Sequence, residues 1–175
     1  MKRRGQFRFL EWIDIGGGLG IGLDLAMLCA ALLPVSNALS TRLAGGALSV
    51  CMEPGRFIVA DAGVLLTRVT QIRRKAGRVF VGVATGMNSL IRPALYSAHH
   101  GIVNLTRLES DSNTMLCDVV GPICESADVL GHQRFLPEDT SPGDVLLIEH
   151  GGAYGHCMSS RYNLREPAQE TILHR

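Results

Sequence analysis

Along the chain the spacing of apolar residues changes character near residue 57. Residues 7–15 (FRFLEWIDI) form a short apolar run that opens directly into Gly16-Gly17-Gly18-Leu19-Gly20, the pattern of a strand entering a glycine turn. Asp24 then suits an N-cap, and Leu25, Leu28, Cys29, Leu32 and Leu33 recur at helical spacing. Pro34 is expected to stop that helix, with Ser36 capping a second through about Leu43. The run ALSVCM (47–52) leads into Glu53-Pro54-Gly55-Arg56. The first third is therefore strand, glycine loop, helix, strand, the rhythm of a parallel βαβ unit.

From Phe57 onward the pattern is extended. FIVADAGVLLTRVTQI (57–72) is rich in β-branched residues, RRKAG (73–77) is a turn, and RVFVGVAT (78–85) returns, predicting a hairpin. Further strands are expected at TMLCDVV (114–120) and DVLLIEH (144–150), separated by turn-rich ESDSN and PEDTSPGD. One short helix is allowed around Pro93–His100. The fold class is α/β followed by all-β, with residues 1–56 forming strand–helix units and residues 57–175 an antiparallel, Greek-key-like β domain. One βα unit and a following strand cannot bury themselves, because a parallel sheet needs helices on both faces. The expectation is that the front of this first domain is missing from the chain.

Composition narrows the classes. Of the 175 residues, 46% are hydrophobic and 19% charged, which is a globular balance. A net charge of +1 gives no global field for nucleic acid or an anionic membrane. MKRR (1–4) and LAMLCAALL (25–33) together imitate an export signal, but Glu11, Asp14, Asp24 and three glycines separate them. The apolar run is also too short to span a bilayer. Five cysteines without zinc spacing fit free thiols in a reducing compartment, so a cytoplasmic protein with no metal site is expected. Lysine is scarce, at Lys2 and Lys75 only.

Five segments carry candidate chemistry. Gly16–Gly18 lets backbone N–H groups approach an anion closely, although many such turns are only tight packing. EPGR (53–56) brings a carboxylate, a rigid turn and a guanidinium to a strand end, or is a turn with a surface ion pair. In MNSLIRPALYSAHH (87–100), Arg92 and Tyr96 share a helix face and could hold a carboxylate. HGGAYG (150–155) sets Tyr154 between glycines, within reach of a phosphate or merely packed at a turn. GPICESAD (121–128) places Cys124 beside Glu125 where a strand ends. Its plain reading is a buried thiol beside a surface carboxylate. The sharper reading is a proton donor beside a group that recognises a substrate amine.

In this order, GGGLG, EPGR, GMNSLIRPALY, GPICESAD and GAYG, with the tail MSSRYNLREPA, resemble the diaminopimelate decarboxylases from about Phe9 to Pro167. These belong to the pyridoxal-phosphate-dependent decarboxylases built as an alanine-racemase-like (β/α)8 barrel followed by a β domain. The resemblance implies a cytoplasmic lyase of lysine biosynthesis, decarboxylating meso-2,6-diaminoheptanedioate to L-lysine, with pyridoxal 5'-phosphate as cofactor. It also implies a homodimer with shared active sites, with neither nucleic acid nor membrane as partner. Gly18 and the backbone of Glu53, Pro54, Gly55 and Arg56 would cradle the cofactor, and Glu53 would pair with its ring nitrogen. Arg56, Arg92 and Tyr96 would grip the far end of the substrate, and Tyr154 would touch the cofactor phosphate or the substrate. Cys124 would deliver a proton from the partner subunit, since a thiol of pKa about 8.5 is mostly protonated near neutrality. Glu125 would bind the distal ammonium.

The chain departs from this family pattern in specific places. The Schiff-base lysine of an early barrel strand is absent, as is the histidine that stacks on the cofactor ring. Neither Lys2 nor Lys75 is placed to substitute. The isolated chain is therefore expected to be inactive and to bind the cofactor weakly. Thr85 stands where an aspartate is usual, and His150 where an aspartate or asparagine often precedes GAYG. LAMLCAALL is more uniformly apolar than an outer barrel helix. Two alternatives remain: a non-catalytic, dimerising β-domain product, and a related decarboxylase acting on another diamino acid.

Overall fold

The computed structural model describes residues 10–42 and 49–174. The chain divides into two compact units, residues 1–58 and 59–175. In the first, strand β1 (Trp12–Asp14) pairs in parallel with β2 (Ser49–Cys51), and helix α1 (Leu25–Arg42) connects them. This is the expected βαβ order. Phe7 to Phe9 and Leu43, the ends of two expected elements, lie outside the described residues. Asp24 caps α1 as expected, its Oδ1 accepting from the amides of Ala26 (2.8 Å) and Met27 (3.3 Å).

Pro34 does not stop the helix, which corrects the two-helix expectation: α1 runs through it as one segment. A proline costs a helix the one hydrogen bond to residue i−4. The alanines and leucines on both sides favour continuing over starting a new, costly nucleus at Ser36. Helix α2 (Gly55–Val59) and a 3-10 turn (Ala60–Ala62) follow, so the expected extended run does not begin at Phe57. Pro54 supplies a helix-compatible φ, and its carbonyl accepts from Ile58. The turn is then clamped by Gly151 donating to Gly63 O (2.7 Å) and Gly152 donating to Ala60 O (3.0 Å). The β propensity of FIV loses to those tertiary bonds.

The second unit is one six-stranded sheet. Its members are β3 (Leu65–Lys75), β4 (Arg78–Val83), β5 (Ile102–Asn104), β6 (Thr114–Val120), β7 (Val129–Pro137) and β8 (Val145–Ile148). Their order is β5-β8-β3-β4-β6-β7. The hairpin β3–β4 forms as expected, but its turn is shorter than RRKAG. Lys75 pairs with Arg78, leaving Ala76 (φ 49°) and Gly77 (φ 76°) as the two loop residues, the positive-φ pair of a tight hairpin. The sheet is not purely antiparallel: β4 and β6 run parallel, with Val81 opposite Val119. Strands β5 and β7 had no clear signal, because β5 is three residues long and His132-Gln133-Arg134 interrupts the alternation of β7.

Period-two alternation builds the core. Val69, Val81, Val83, Met115, Cys117, Val119, Leu130, Leu136, Leu146 and Ile148 are all buried together, with Leu90 from the loop after β4. Each such side chain stabilises the unit by about 1.5–3 kcal/mol if of Val, Leu or Ile size. Cys117 belongs to this core, where burial, and then the neighbouring Asp118 charge, push its thiol up to about 11. It is an inert packing residue. No helix among the described residues is long and apolar enough to cross a membrane.

Candidate active site

In the first unit the glycine loop and EPGR are one structure. Glu53 N–H donates to Gly16 O (2.9 Å), and a Cβ on Gly17 would stand 2.6 Å from Glu53 O, so only glycine fits there. Gly18 takes φ +87° with open space where a side chain would be. Arg56 braces the loop, its Nε donating to Leu19 O and its Nη2 to Gly18 O, both at 3.2 Å. Gly18, Glu53, Pro54, Gly55 and Arg56 therefore come together. Glu53 and Gly55 are exposed, and Arg56 is half-buried.

In the second unit, three of the segments singled out in sequence interlock. The loop GPICESAD joins β6 to β7, and Asp128 is its anchor. The buried Asp128 carboxylate accepts from Met87 N and Ile123 N, each at 2.6 Å, while its carbonyl accepts from Gly121 N (3.0 Å). Gly86 and Gly121 both leave room for that carboxylate, which a side chain at either position would strike. The loop thus turns tightly, with Glu125 N bonded to Ile123 O (2.8 Å), and presents Cys124 and Glu125 to solvent. The buried-thiol reading of Cys124 is set aside by its exposure.

The same 86–89 segment holds the C-terminal tail. Asn88 Nδ2 donates to Glu166 O (3.2 Å) and Arg165 O (3.4 Å), Ser160 N donates to Asn88 O (2.8 Å), and Ala168 N donates to Ser89 Oγ (2.8 Å). Thr85 contributes through a 2.5 Å contact with Ser89 Oγ. The tail so held brings Tyr162 to Glu125, the phenol donating to Oε2 at 3.3 Å. Ser126 Oγ (3.1 Å) and Ala127 N (3.4 Å) bond Oε1. The Ser126 hydroxyl first, then the Ala127 and Ser126 amides and Tyr162, hold the Glu125 carboxyl below its ordinary range. The Glu125 charge pushes the Tyr162 phenol up, with a smaller push from Cys124. Tyr162 is the site residue that sequence reasoning missed. RYNLREP was singled out as a motif, but nothing in its spacing points at GPICESAD across that separation.

Helix α3 (Arg92–Tyr96) has Pro93 in its first turn and ends at Ser97 in the left-handed region (φ 52°), with Ala98 N reaching back to Arg92 O (3.3 Å). Arg92 turns inward and is 6% exposed, whereas Tyr96 is 60% exposed. Being four apart on so short a helix does not give them one environment. Arg92 Nη1 lies 3.2 Å from His100 Nε2, and His100 Nδ1 lies 2.8 Å from Glu149 O. Glu149 directly precedes the loop of Tyr154, so this chain of bonds ties α3 to GGAYG. Tyr154 is half-exposed at φ 59°, and His150 takes φ 58°. Such values are rare for bulky residues and occur where structure over-determines the backbone. His150 Nδ1 is held 2.5 Å from Asp61 Oδ1.

The residues present fit part of a pyridoxal phosphate site. Gly18 and Gly55 leave open space at a loop of approaching backbone, and Glu53 offers an exposed carboxylate beside it. The linking amine does not fit. Lys75, the one lysine among the described residues, ends strand β3 at the hairpin, and Lys2 lies outside them. Among the described residues no cluster of histidine, cysteine and carboxylate could hold a metal ion.

Residues 33–152 match the family described as pyridoxal-dependent decarboxylase, C-terminal sheet domain. The diaminopimelate decarboxylase of Methanothermobacter thermautotrophicus is 41% identical over 171 residues, covering 93% of this chain and 39% of that protein. That of Helicobacter pylori is 40% identical, covering 94% and 40%. Among solved structures, the H. pylori diaminopimelate decarboxylase complexed with L-lysine superposes with a TM-score of 0.71 at 38% identity, covering 87% of this chain and 37% of that one. The M. jannaschii enzyme in co-complex with L-lysine gives 0.77 at 34%, covering 90% and 36%. A lysine/ornithine decarboxylase from Vibrio vulnificus, at 24% identity and TM-score 0.73, shares the fold. The chain spans about two-fifths of the length of the curated relatives it matches.

Proposed function

The chain belongs to the pyridoxal-dependent decarboxylases, carrying their C-terminal sheet domain, and on that premise we propose that it is the C-terminal part of a diaminopimelate decarboxylase. The reaction is loss of carbon dioxide from meso-2,6-diaminoheptanedioate to give L-lysine. The observation that carries this reading is the exposed Cys124–Glu125 pair, with Glu125 kept ionised by Ser126, Ala127 and Tyr162. A carboxylate so held suits a distal ammonium, and a neighbouring exposed thiol suits proton delivery to the carbon that has lost carbon dioxide.

Residues 1–56 are the last units of a (β/α)8 barrel and residues 57–175 the β domain. Pyridoxal phosphate, when bound, supplies the sink for the electrons released with carbon dioxide. Gly18 and the Glu53–Arg56 backbone would hold its phosphate and ring edge, and the Glu53 carboxylate its ring nitrogen. Arg56 is more a brace of that loop than a substrate ligand, since its Nε and Nη2 serve Gly18 and Leu19. Arg92 and Tyr96 would orient the distal carboxylate, and Tyr154 would close over phosphate or substrate. The protein works as a cytoplasmic homodimer in which Cys124 and Glu125 serve the partner's site.

A second reading, a non-catalytic dimerising product, is separated from the first by experiment. The test is to isolate from its source the polypeptide carrying GPICESAD and assay it. A mass well above 18.9 kDa with carbon dioxide released from meso-2,6-diaminoheptanedioate is expected. A mass equal to this chain and no release would leave the non-catalytic reading. Release from a shorter diamino acid alone would point to a neighbouring decarboxylase.

A further inference from the structure

Strand β7 carries one residue more than its pairing with β6 needs. Cys117 lies opposite Arg134 and Val119 opposite Gly131, so two steps along β6 face three along β7. Gln133 absorbs the extra residue at φ 50°, and a bulge of this kind re-aims the side chains beside it. Gly131 and Arg134, three apart, are thereby both paired with buried residues of the core face. Gly131 has no side chain, and Arg134 folds across the space: a Cβ on Gly131 would stand 2.5 Å from Arg134 Nε. That Nε is shut off from solvent and has no hydrogen-bond partner. Nη1 donates to His99 Nε2, because a guanidinium can only donate, and Nη2 bonds to no described residue. Burial alone pulls the Arg134 pKa down, with no carboxylate opposing it. Asp118, between the two paired residues of β6, is taken by Arg78 and by Gln133 N (2.9 Å).

Arg134 and His99 both line a cleft of about 390 Å³ between α3 and β7. Ala94, Ala98 and Val129 give it apolar walls, Ser97 adds a hydroxyl, and no described acid lines it. His132, on its rim, lies with Nδ1 3.6 Å from Asp118 Oδ1. We propose that this cleft is a binding site for a carboxylate carried on a short aliphatic body, with Arg134 as its cation. A charge drawn out of water is costly until it is paired, and the planar guanidinium fork matches a carboxylate. One cation lacking one counter-charge calls for a single carboxylate, and the apolar walls suit a few methylenes. A phosphate would bring a second charge with no free cation to meet it, the two histidines being engaged by Arg134 and Asp118. The carboxylate comes from a free acid or from a glutamate side chain of a second copy of this chain, which present the same group. The cleft is distinct from the exposed Cys124–Glu125 pair, although Ser126 and Ala127 of that loop border it.

The experiment titrates sodium butyrate, at constant ionic strength, into the intact polypeptide carrying 13C at histidine Cε1, and reads the His99 ring by NMR. The His99 signal should shift saturably at millimolar butyrate, while that of the exposed His156 stays in place. Arg134→Gln should weaken this binding at least about tenfold, the loss of a hydrogen-bonded charge pair. Ala98→Leu, which fills the cleft and keeps the guanidinium, should weaken it as well, and it decides the matter if Arg134→Gln does not fold. Where a second copy supplies the carboxylate, butyrate should instead lower self-association in sedimentation, and Arg134→Gln should weaken that association about tenfold without butyrate. A His99 shift unchanged by both variants, or no shift together with unchanged self-association, overturns the site. Binding is read without turnover, so its failure leaves the decarboxylase reading standing.

Discussion

The two units of this chain dispose their apolar residues in opposite ways. In residues 59–175 the alternating valines, leucines and isoleucines disappear into one sheet face, and a dozen side chains form a shared core. Among the described residues of 1–58, no side chain is fully buried, and Leu25, Met27, Leu33 and Val35 of α1 stand 48–71% exposed. A helix apolar on so much of its surface is the pattern of an element that packs against more than one neighbour. Two of the three cysteines of the sheet unit repeat the contrast on a smaller scale: Cys117 is core, and Cys124, seven residues on, is exposed on a loop. Burial follows from which segment supplies a second surface, and apolar content alone does not decide it.

The sharpest break of the comparison is chemical. In the barrel-bearing polypeptide, Cys124→Ala should slow decarboxylation by about 10²–10⁴-fold with cofactor binding retained, the usual worth of a positioned proton donor. Cys117→Ala should leave turnover alone. Equal rates for Cys124→Ala and wild type would remove its role as acid. The next contrast is energetic. Leu146→Ala, in the sheet core, should lower unfolding free energy by about 2–5 kcal/mol in urea, while Leu33→Ala on α1 should cost under about 0.5 kcal/mol. A Leu33 effect as large as that of Leu146 would mean that α1 is covered in solution.

Asp128→Ala should cost about 2–4 kcal/mol, because the Met87 and Ile123 amides lose their acceptor inside the fold. Limited proteolysis should then cut within residues 121–128 first. Cutting elsewhere would show that Asp128 does not hold the loop.

The smallest effect is a pH slope. Burial lowers the His100 pKa, so the unfolded chain binds that proton more readily. Stability from this group is complete above about pH 6.5 and is lost as pH falls below it toward the folded value. Urea midpoints of wild type should therefore drop more steeply below pH 6.5 than those of His100→Gln. Parallel slopes would mean that His100 takes up its proton without cost.

Much of this was legible in order along the chain. The Asp24 cap, the βαβ rhythm, the β3–β4 hairpin and the strands at 114–120 and 145–148 are local patterns, and short-range physics sets them: side-chain period, capping geometry and turn dihedrals. The motifs GMNSL, GPICESAD and RYNLREP were visible as segments for the same reason. Their union was not. Asp128 accepting from Met87, Asn88 and Ser89 gripping the tail, and Tyr162 reaching Glu125 are bonds between residues 37–79 positions apart, and no spacing rule connects them. Pro34 inside α1, the helical turn at 55–62 and the parallel β4–β6 pair also went against local preference. In the turn, bonds from Gly151 and Gly152 outweigh the preference of single residues. Sequence alone determined which side chains could do chemistry and where strands could form. Only the tertiary structure decided that Arg92 turns inward onto His100 while Cys124 faces out, because burial depends on what packs against a segment and not on the segment itself.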